Sequence, residues 1–180
     1  NCKPDTRIYN KLITSCVRAG FVDKVEMLRK EMEKYGVKLD IWTYATLLKG
    51  CINNIEEVEK LCKEMEENGV TPNVVFNNTL MTTHIGNIEK VEEIFEEIKE
   101  GYKEWLLVRQ MKHEDMNEEE KDISKMKEED VEPNDRTYNT VMLSNGDNVE
   151  RVDEIFKEMI PENGIKPGVV TYTIRMNTHW

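Results

Sequence analysis

A short phrase recurs along the chain at a nearly fixed interval, and it limits what the chain can fold into more than any other feature. Val37-Lys38-Leu39-Asp40, Val70-Thr71-Pro72-Asn73, Val131-Glu132-Pro133-Asn134 and Ile165-Lys166-Pro167-Gly168 occupy corresponding places, after Gly36, Gly69, Asp130 and Gly164. Lys3-Pro4-Asp5 reads as the tail of an earlier unit. The stretches after these tails also match: Thr6-Arg7-Ile8-Tyr9-Asn10, Ile41-Trp42-Thr43-Tyr44-Ala45, Val74-Val75-Phe76-Asn77-Asn78, Asp135-Arg136-Thr137-Tyr138-Asn139 and Val169-Val170-Thr171-Tyr172-Thr173. Met32, Met65, Ile98, Met126 and Met159 follow one another at 33, 33, 28 and 33 residues. Self-similarity at this period marks stacked repeats, each of which buries its apolar face only against its neighbours. The units fall at 6–40, 41–73, 74–101, 102–134 and 135–168, with 169–180 as the first half of a sixth. The third lacks the usual tail and runs into Gly101-Tyr102-Lys103. The fourth is degenerate, matching only at Trp105, Leu107, Met126 and its tail.

Within each unit the apolar spacing predicts two helices. Val25, Leu28 and Met32, or Val91, Ile94, Phe95 and Ile98, recur at three and four residues, as one buried helix face requires. Ala19-Gly20, Asn53-Asn54, Gly86-Asn87 and Gly146-Asp147 separate the two stripes, where Asn and Gly are expected to end a helix in a left-handed conformation. The break is two residues shorter in units two, three and five than in unit one. The second stripe stops at the tail, which proline bars from continuing as helix. The expected fold is therefore all-α, built of tandem helix–turn–helix units in one array over 1–180.

Composition excludes several functions. No apolar run approaches the roughly 18 residues of a membrane span, and Asn1-Cys2-Lys3-Pro4-Asp5 lacks the pattern of a signal peptide. Cys2, Cys16, Cys51 and Cys62 form no C-x-x-C pair and read as buried free thiols. His84, His113 and His179 belong to no H-x-E, H-E-x-x-H or comparable motif. No cofactor, metal, membrane partner, small-molecule substrate or catalytic activity is expected. The formal charge of -11 by itself argues against a nucleic-acid binder, whose footprint is basic.

The head Thr-Tyr-Asn-Thr-(Leu/Val), the Met-x-x-x-Gly-(Val/Ile)-x-Pro-(Asp/Asn) tail and the 35-residue first unit resemble the pentatricopeptide repeat family. The tetratricopeptide pattern W-x2-L-G-x2-Y is missing. The resemblance implies a right-handed α-solenoid superhelix whose first helices line an inner surface. It also implies reading of single-stranded RNA at one base per repeat. In that family the fifth residue of the first helix and the last residue of the unit address the base, and a residue near the helix start packs against it. Carried over, the pairs are Asn10 with Asp40, Ala45 with Asn73, Leu106 with Asn134, and Asn139 with Gly168, while Asn78 and Thr173 lack a clear partner. The packing positions are Arg7, Trp42, Val75, Arg136 and Val170. Only Asn10/Asp40 is complete, and the analogy assigns it uracil. Ala45 and Leu106 cannot hydrogen-bond a base, and Gly168 has no side chain.

The charge objection weakens once charge is sorted by helix. The expected first helices, 6–18, 41–52, 74–85, 102–113, 135–145 and 169–180, hold nine basic residues and two acidic ones, so the acidity lies mostly on second helices. The family implies work in a mitochondrion or plastid, in RNA processing, stability, splicing or translation. The same repeats could instead serve as a scaffold within a mitochondrial ribosome or similar ribonucleoprotein, held by protein or rRNA contacts. The repeated Tyr9, Tyr44, Tyr138 and Tyr172 read as packing between helices, whereas Trp42 is placed to stack on a base or partner.

Overall fold

A computed structural model describes residues 5–111, 116–124, 126–160 and 164–179; Cys2, His113 and most of the tail at Lys3-Pro4 lie outside the described residues. Helix is the only regular secondary structure among these residues. Helices α1 (Thr6–Arg18) and α2 (Val22–Lys34) form one hairpin, α3 (Ile41–Gly50) and α4 (Ile55–Glu67) a second, and α5 (Val74–Thr83) follows. Next come α6 (Ile88–Val108), the short α7 (Glu118–Ser124) and α8 (Glu128–Val131), the hairpin α9 (Asp135–Ser144) and α10 (Val149–Met159), and α11 (Val169–Thr178).

The helix ends follow from local chemistry. Asp5, Asp40 and Asn134 sit at N-caps of α1, α3 and α9, and each side chain accepts from backbone N–H groups of the first turn. Asn54, Asn87 and Asn148 cap α4, α6 and α10 in the same way. These asparagines therefore begin the second helix rather than end the first in a left-handed turn, and their φ angles are -126°, -118° and -115°. The left-handed conformation is taken by Gly20 within the first hairpin and by Gly36, Gly69 and Gly164 where the second helices end. The shortening of the later units falls on the first helix: α1 has 13 residues, whereas α3, α5 and α9 have 10.

The chain divides into two compact units, Asn1–Thr83 and His84–Trp180. In the first, α1 packs on α2 and α3, and α3 packs on α4 and α5. Tyr9, Ile13, Met32, Tyr44, Leu48, Val58, Met65 and Phe76 form its core. In the second, α9 packs on α6, α10 and α11, while α7 and α8 pack on α6. Val91, Ile94, Phe95, Tyr138, Val141, Val152, Ile155 and Met159 are buried there. The Phe95 and Tyr138 rings meet edge to face at 5.3 Å. Tyr9, Tyr44 and Tyr138 are thus interior packing residues and Phe76 replaces the tyrosine in its repeat, whereas Tyr172 is half exposed beside Phe156.

Two expectations change. Residues 102–108 are not the start of a first helix: they are the last two turns of α6, which runs for 21 residues. Gly101 does not stop it, because an isolated glycine lowers helix propensity by only about 1 kcal/mol and neither a proline nor a cap residue follows. Cys16, Cys51 and Cys62 form no disulfide among the described residues and are only partly buried. Burial, with the nearby Glu57 carboxylate, pushes the Cys51 thiol pKa up and keeps it protonated.

Candidate nucleic-acid interface

The first unit assembles one polar constellation from two adjacent repeats. Asp40 caps α3 because its carboxylate accepts from the Thr43 backbone N–H at 2.9 Å, while the Thr43 hydroxyl reaches back toward the Asp40 N–H. The same carboxylate accepts from the Asn10 amide nitrogen, 3.0 and 3.1 Å from its two oxygens. The Asn10 amide oxygen faces the Thr43 hydroxyl at 2.5 Å, and that hydroxyl also lies 2.8 Å from Asp40. The amide is thereby fixed in orientation: nitrogen toward Asp40, oxygen toward Thr43. Arg7 lies one turn before Asn10 on α1 and shares its face. Trp42, next to Thr43, is 58% exposed. Trp42 leaves a planar ring in water on which a base could stack, and the oriented Asn10 amide and Asp40 carboxylate could address a base edge.

Sequence reasoning did not single out Thr43. The available signal was the recurrent Thr at the third position after an Asp, Asn or Gly cap. Thr137 and Thr171 repeat the arrangement, and all three are fully buried.

The other expected positions are less complete. Ala45 is buried, and Asn73 is buried with its oxygen accepting from the Phe76 N–H at 2.9 Å, which makes it a helix cap. Val75 is half buried, and Asn78 is 2% exposed. In the second unit Arg136 is exposed, and the Asn139 amide oxygen is buried without a hydrogen bond among the described residues. Gly168 caps α11 through its backbone; a Cβ built there meets nothing within 4 Å. Val170 and Thr173 are exposed, and the Thr173 hydroxyl donates to the Val169 carbonyl of its own helix. Leu106 lies on α6 rather than on a first helix, so it does not hold the expected place opposite Asn134, whose side chain caps α9.

Charge follows the helix type. The observed first helices α1, α3, α5, α9 and α11 carry six basic residues, Arg7, Arg18, Lys11, Lys49, Arg136 and Arg175, against one acidic residue, Asp135. The excess is smaller than expected from sequence because 102–113 supply no first helix: Lys103 and Glu104 lie on α6 and cancel, Arg109 caps the end of α6, and Lys112 lies outside the described residues. Part of the acidity on second helices is consumed in ion pairs between repeats, such as Arg29 with Glu64 and Arg151 with Glu92.

Helix hairpins recurring at a fixed interval, with the Thr43 hydroxyl of one repeat donating to the Asn10 amide oxygen of the repeat before it, define a protein of the tandem helical-repeat class. Family models for the PPR repeat family match residues 4–53, for the PPR repeat residues 42–70, and for the pentatricopeptide repeat domain residues 123–179. The chain belongs to the pentatricopeptide repeat family. No curated protein matches it. Among solved structures it is similar to the pentatricopeptide repeat protein PPR10 in complex with an 18-nt psaJ RNA element, with a TM-score of 0.68 and 22% identity. A triple cysteine-to-serine form of PPR10 bound to the same RNA element gives the same values. PPR10 from maize gives a TM-score of 0.50 at 26% identity. The RNA-complex matches cover 99% of this chain but 23% of the matched one, so the chain spans about a quarter of the length of these structures.

Proposed function

We propose that the chain binds single-stranded RNA, with Asn10 and Asp40 as its one complete base-reading pair and Arg7 and Trp42 flanking the base. The observation that carries this reading is the hydrogen bonding of Asn10 to Asp40 within one repeat, with Thr43 of the next repeat fixing the amide. The PPR10 complexes with an RNA element support it by similarity. By the family analogy the pair selects uracil, and the setting is transcript processing, stability, splicing or translation in a mitochondrion or plastid. A base contact is worth about 1–3 kcal/mol. With Asn78 buried, Asn10 and Asn139 together supply roughly 2–6 kcal/mol, against the roughly 8 kcal/mol of a micromolar complex. Affinity is accordingly weak, and a longer array or a complex would supply the rest.

The incomplete pairs, Ala45 above all, favour a second reading in which the repeats are a scaffold inside a ribonucleoprotein. Binding of oligo-uridine and of mixed single-stranded RNA at two salt concentrations separates the two. RNA reading predicts an affinity that falls with salt, and a loss of about 5- to 150-fold in oligo-uridine affinity for Asn10→Ala. A scaffold predicts neither, and absence of both effects would remove the RNA proposal.

A further inference from the structure

Contacts between successive repeats reveal how many there are. In the first unit, Arg29 on α2 reaches Glu64 on α4 across 35 residues, the length of one repeat. In the second unit, three contacts of α6 and its preceding turn with the next hairpin share a longer offset. The Ser144 hydroxyl donates to the Ile85 carbonyl, Arg151 grips Glu92 through two hydrogen bonds, and Lys99 pairs with Glu158. Each of these contacts spans 59 residues. A complete repeat between α6 and α9 would occupy the flank of α6 on which α9 and α10 lie.

The sequence then closes up. Ile98-Lys99-Glu100-Gly101 followed by Asp130-Val131-Glu132-Pro133-Asn134 matches Met65-Glu66-Glu67-Asn68-Gly69-Val70-Thr71-Pro72-Asn73 position by position. Residues 74–101 with 130–134 make 33 residues, the length of 41–73. The unit without a tail and the unit with little but a tail are one repeat, interrupted. Met126 imitates the methionine of a second helix in sequence only. It lies in a bend between α7 and α8, and its carbonyl accepts from the Trp105 indole at 3.0 Å. The helical place is held by Ile98, 4% exposed on α6. The intervening residues have their own small core: Trp105 and Val108 are buried, and the Arg109 guanidinium stacks 4.6 Å from the Trp105 ring.

We infer that residues 102–129 are an insertion in the tail of the third repeat, not a fourth repeat. Leu106 then reads no base, Asn134 becomes the terminal residue of the third repeat, and five reading positions remain in place of six: Asn10, Ala45, Asn78, Asn139 and Thr173. The base count rests on the RNA reading above; the insertion itself does not.

The test removes 102–129 and replaces Asp130 by glycine, because Gly36 and Gly69 hold the matching place at φ +66° and +64°. The shortened chain is expected to melt cooperatively, with its midpoint displaced by less than about 5 °C, roughly the effect of 1 kcal/mol. The shortest oligonucleotide that saturates it should be unchanged. Unfolding of α9 and α10, or an RNA footprint shorter by one nucleotide, would overturn the inference. Hydrogen exchange on Trp105→Ala gives a second reading. Exchange should rise in 116–131 and stay slow in α9 and α10; loosening of α9 alongside would mark a true stacked repeat. If the intact chain binds no RNA, the functional proposal fails, while the folding of the shortened chain still decides the insertion.

Discussion

Tyr138→Ala is expected to destabilise the protein by about 3–5 kcal/mol, the cost of removing a large aromatic from a packed core. The ring is fully buried on α9, the helix that touches α6, α10 and α11. It meets Phe95 of α6 edge to face, so its loss opens a cavity where three helices converge and removes an aromatic pair worth about 0.5–1.5 kcal/mol beyond burial. Domains of this size are stable by only about 5–15 kcal/mol, so the variant should sit near the edge of folding. Urea denaturation checks this, with Tyr138→Phe as the control: keeping the ring should retain most of the stability. A loss below about 1 kcal/mol for Tyr138→Ala would mean that α9 is not seated against α6 as described.

The same residues show what the sequence made legible. Tyr138 recurs with Tyr9 and Tyr44 at one place in the period, and a residue that returns on the buried face of each unit has to pack. Tandem stacking therefore followed from spacing alone. The Asn10–Asp40 contact also followed from register, since both positions are fixed by the period and the repeat offset brings them together. Thr43 was harder to see because its contribution is a hydroxyl shared between a cap and a neighbouring repeat, and Thr at that position is explained by capping alone. The cap role also clouds the reader role. Asp and Asn at the last position of a unit are what a helix start demands, so residue type there does not distinguish a base contact from a cap.

The middle of the chain misled for a physical reason. Helix continuity through Gly101 depends on there being no stop signal, and the inserted segment carries a methionine at the spacing of a second helix. Long-range pairing was equally hidden. Glu64, Glu92 and Glu158 look like members of a solvated acidic face, yet each accepts a cation from the adjoining repeat. Only the stacking register, known after folding, says which glutamates those are.

The ion pair at Glu92 leads to the second large effect. Arg151 holds both carboxylate oxygens, at 2.9 and 2.5 Å, and the Asn145 amide donates to one of them at 2.9 Å. Both charged side chains are about three-quarters buried, at 27% and 24% exposure. Burial alone would raise the Glu92 pKa, but the hydrogen bonds and charge of Arg151 outweigh it and hold the carboxyl below its ordinary value. Arg151→Met keeps the apolar stem and leaves the carboxylate with the Asn145 hydrogen bond and the more distant charge of Lys99. Breaking a fully buried pair costs about 3–5 kcal/mol; with residual solvent contact the expected loss here is about 2 kcal/mol at neutral pH. Because the folded pKa is depressed, the stabilisation is present above the unfolded glutamate value of about 4.3 and is lost as pH falls through the folded value. The gap in urea midpoint between wild type and Arg151→Met should therefore be wide at pH 7 and narrow as the pH falls below the ordinary glutamate value. Adding Glu92→Gln to Arg151→Met should recover part of the loss, since no unpaired charge then remains. A gap that stays constant with pH would show that Arg151 acts through packing of its stem and not through Glu92.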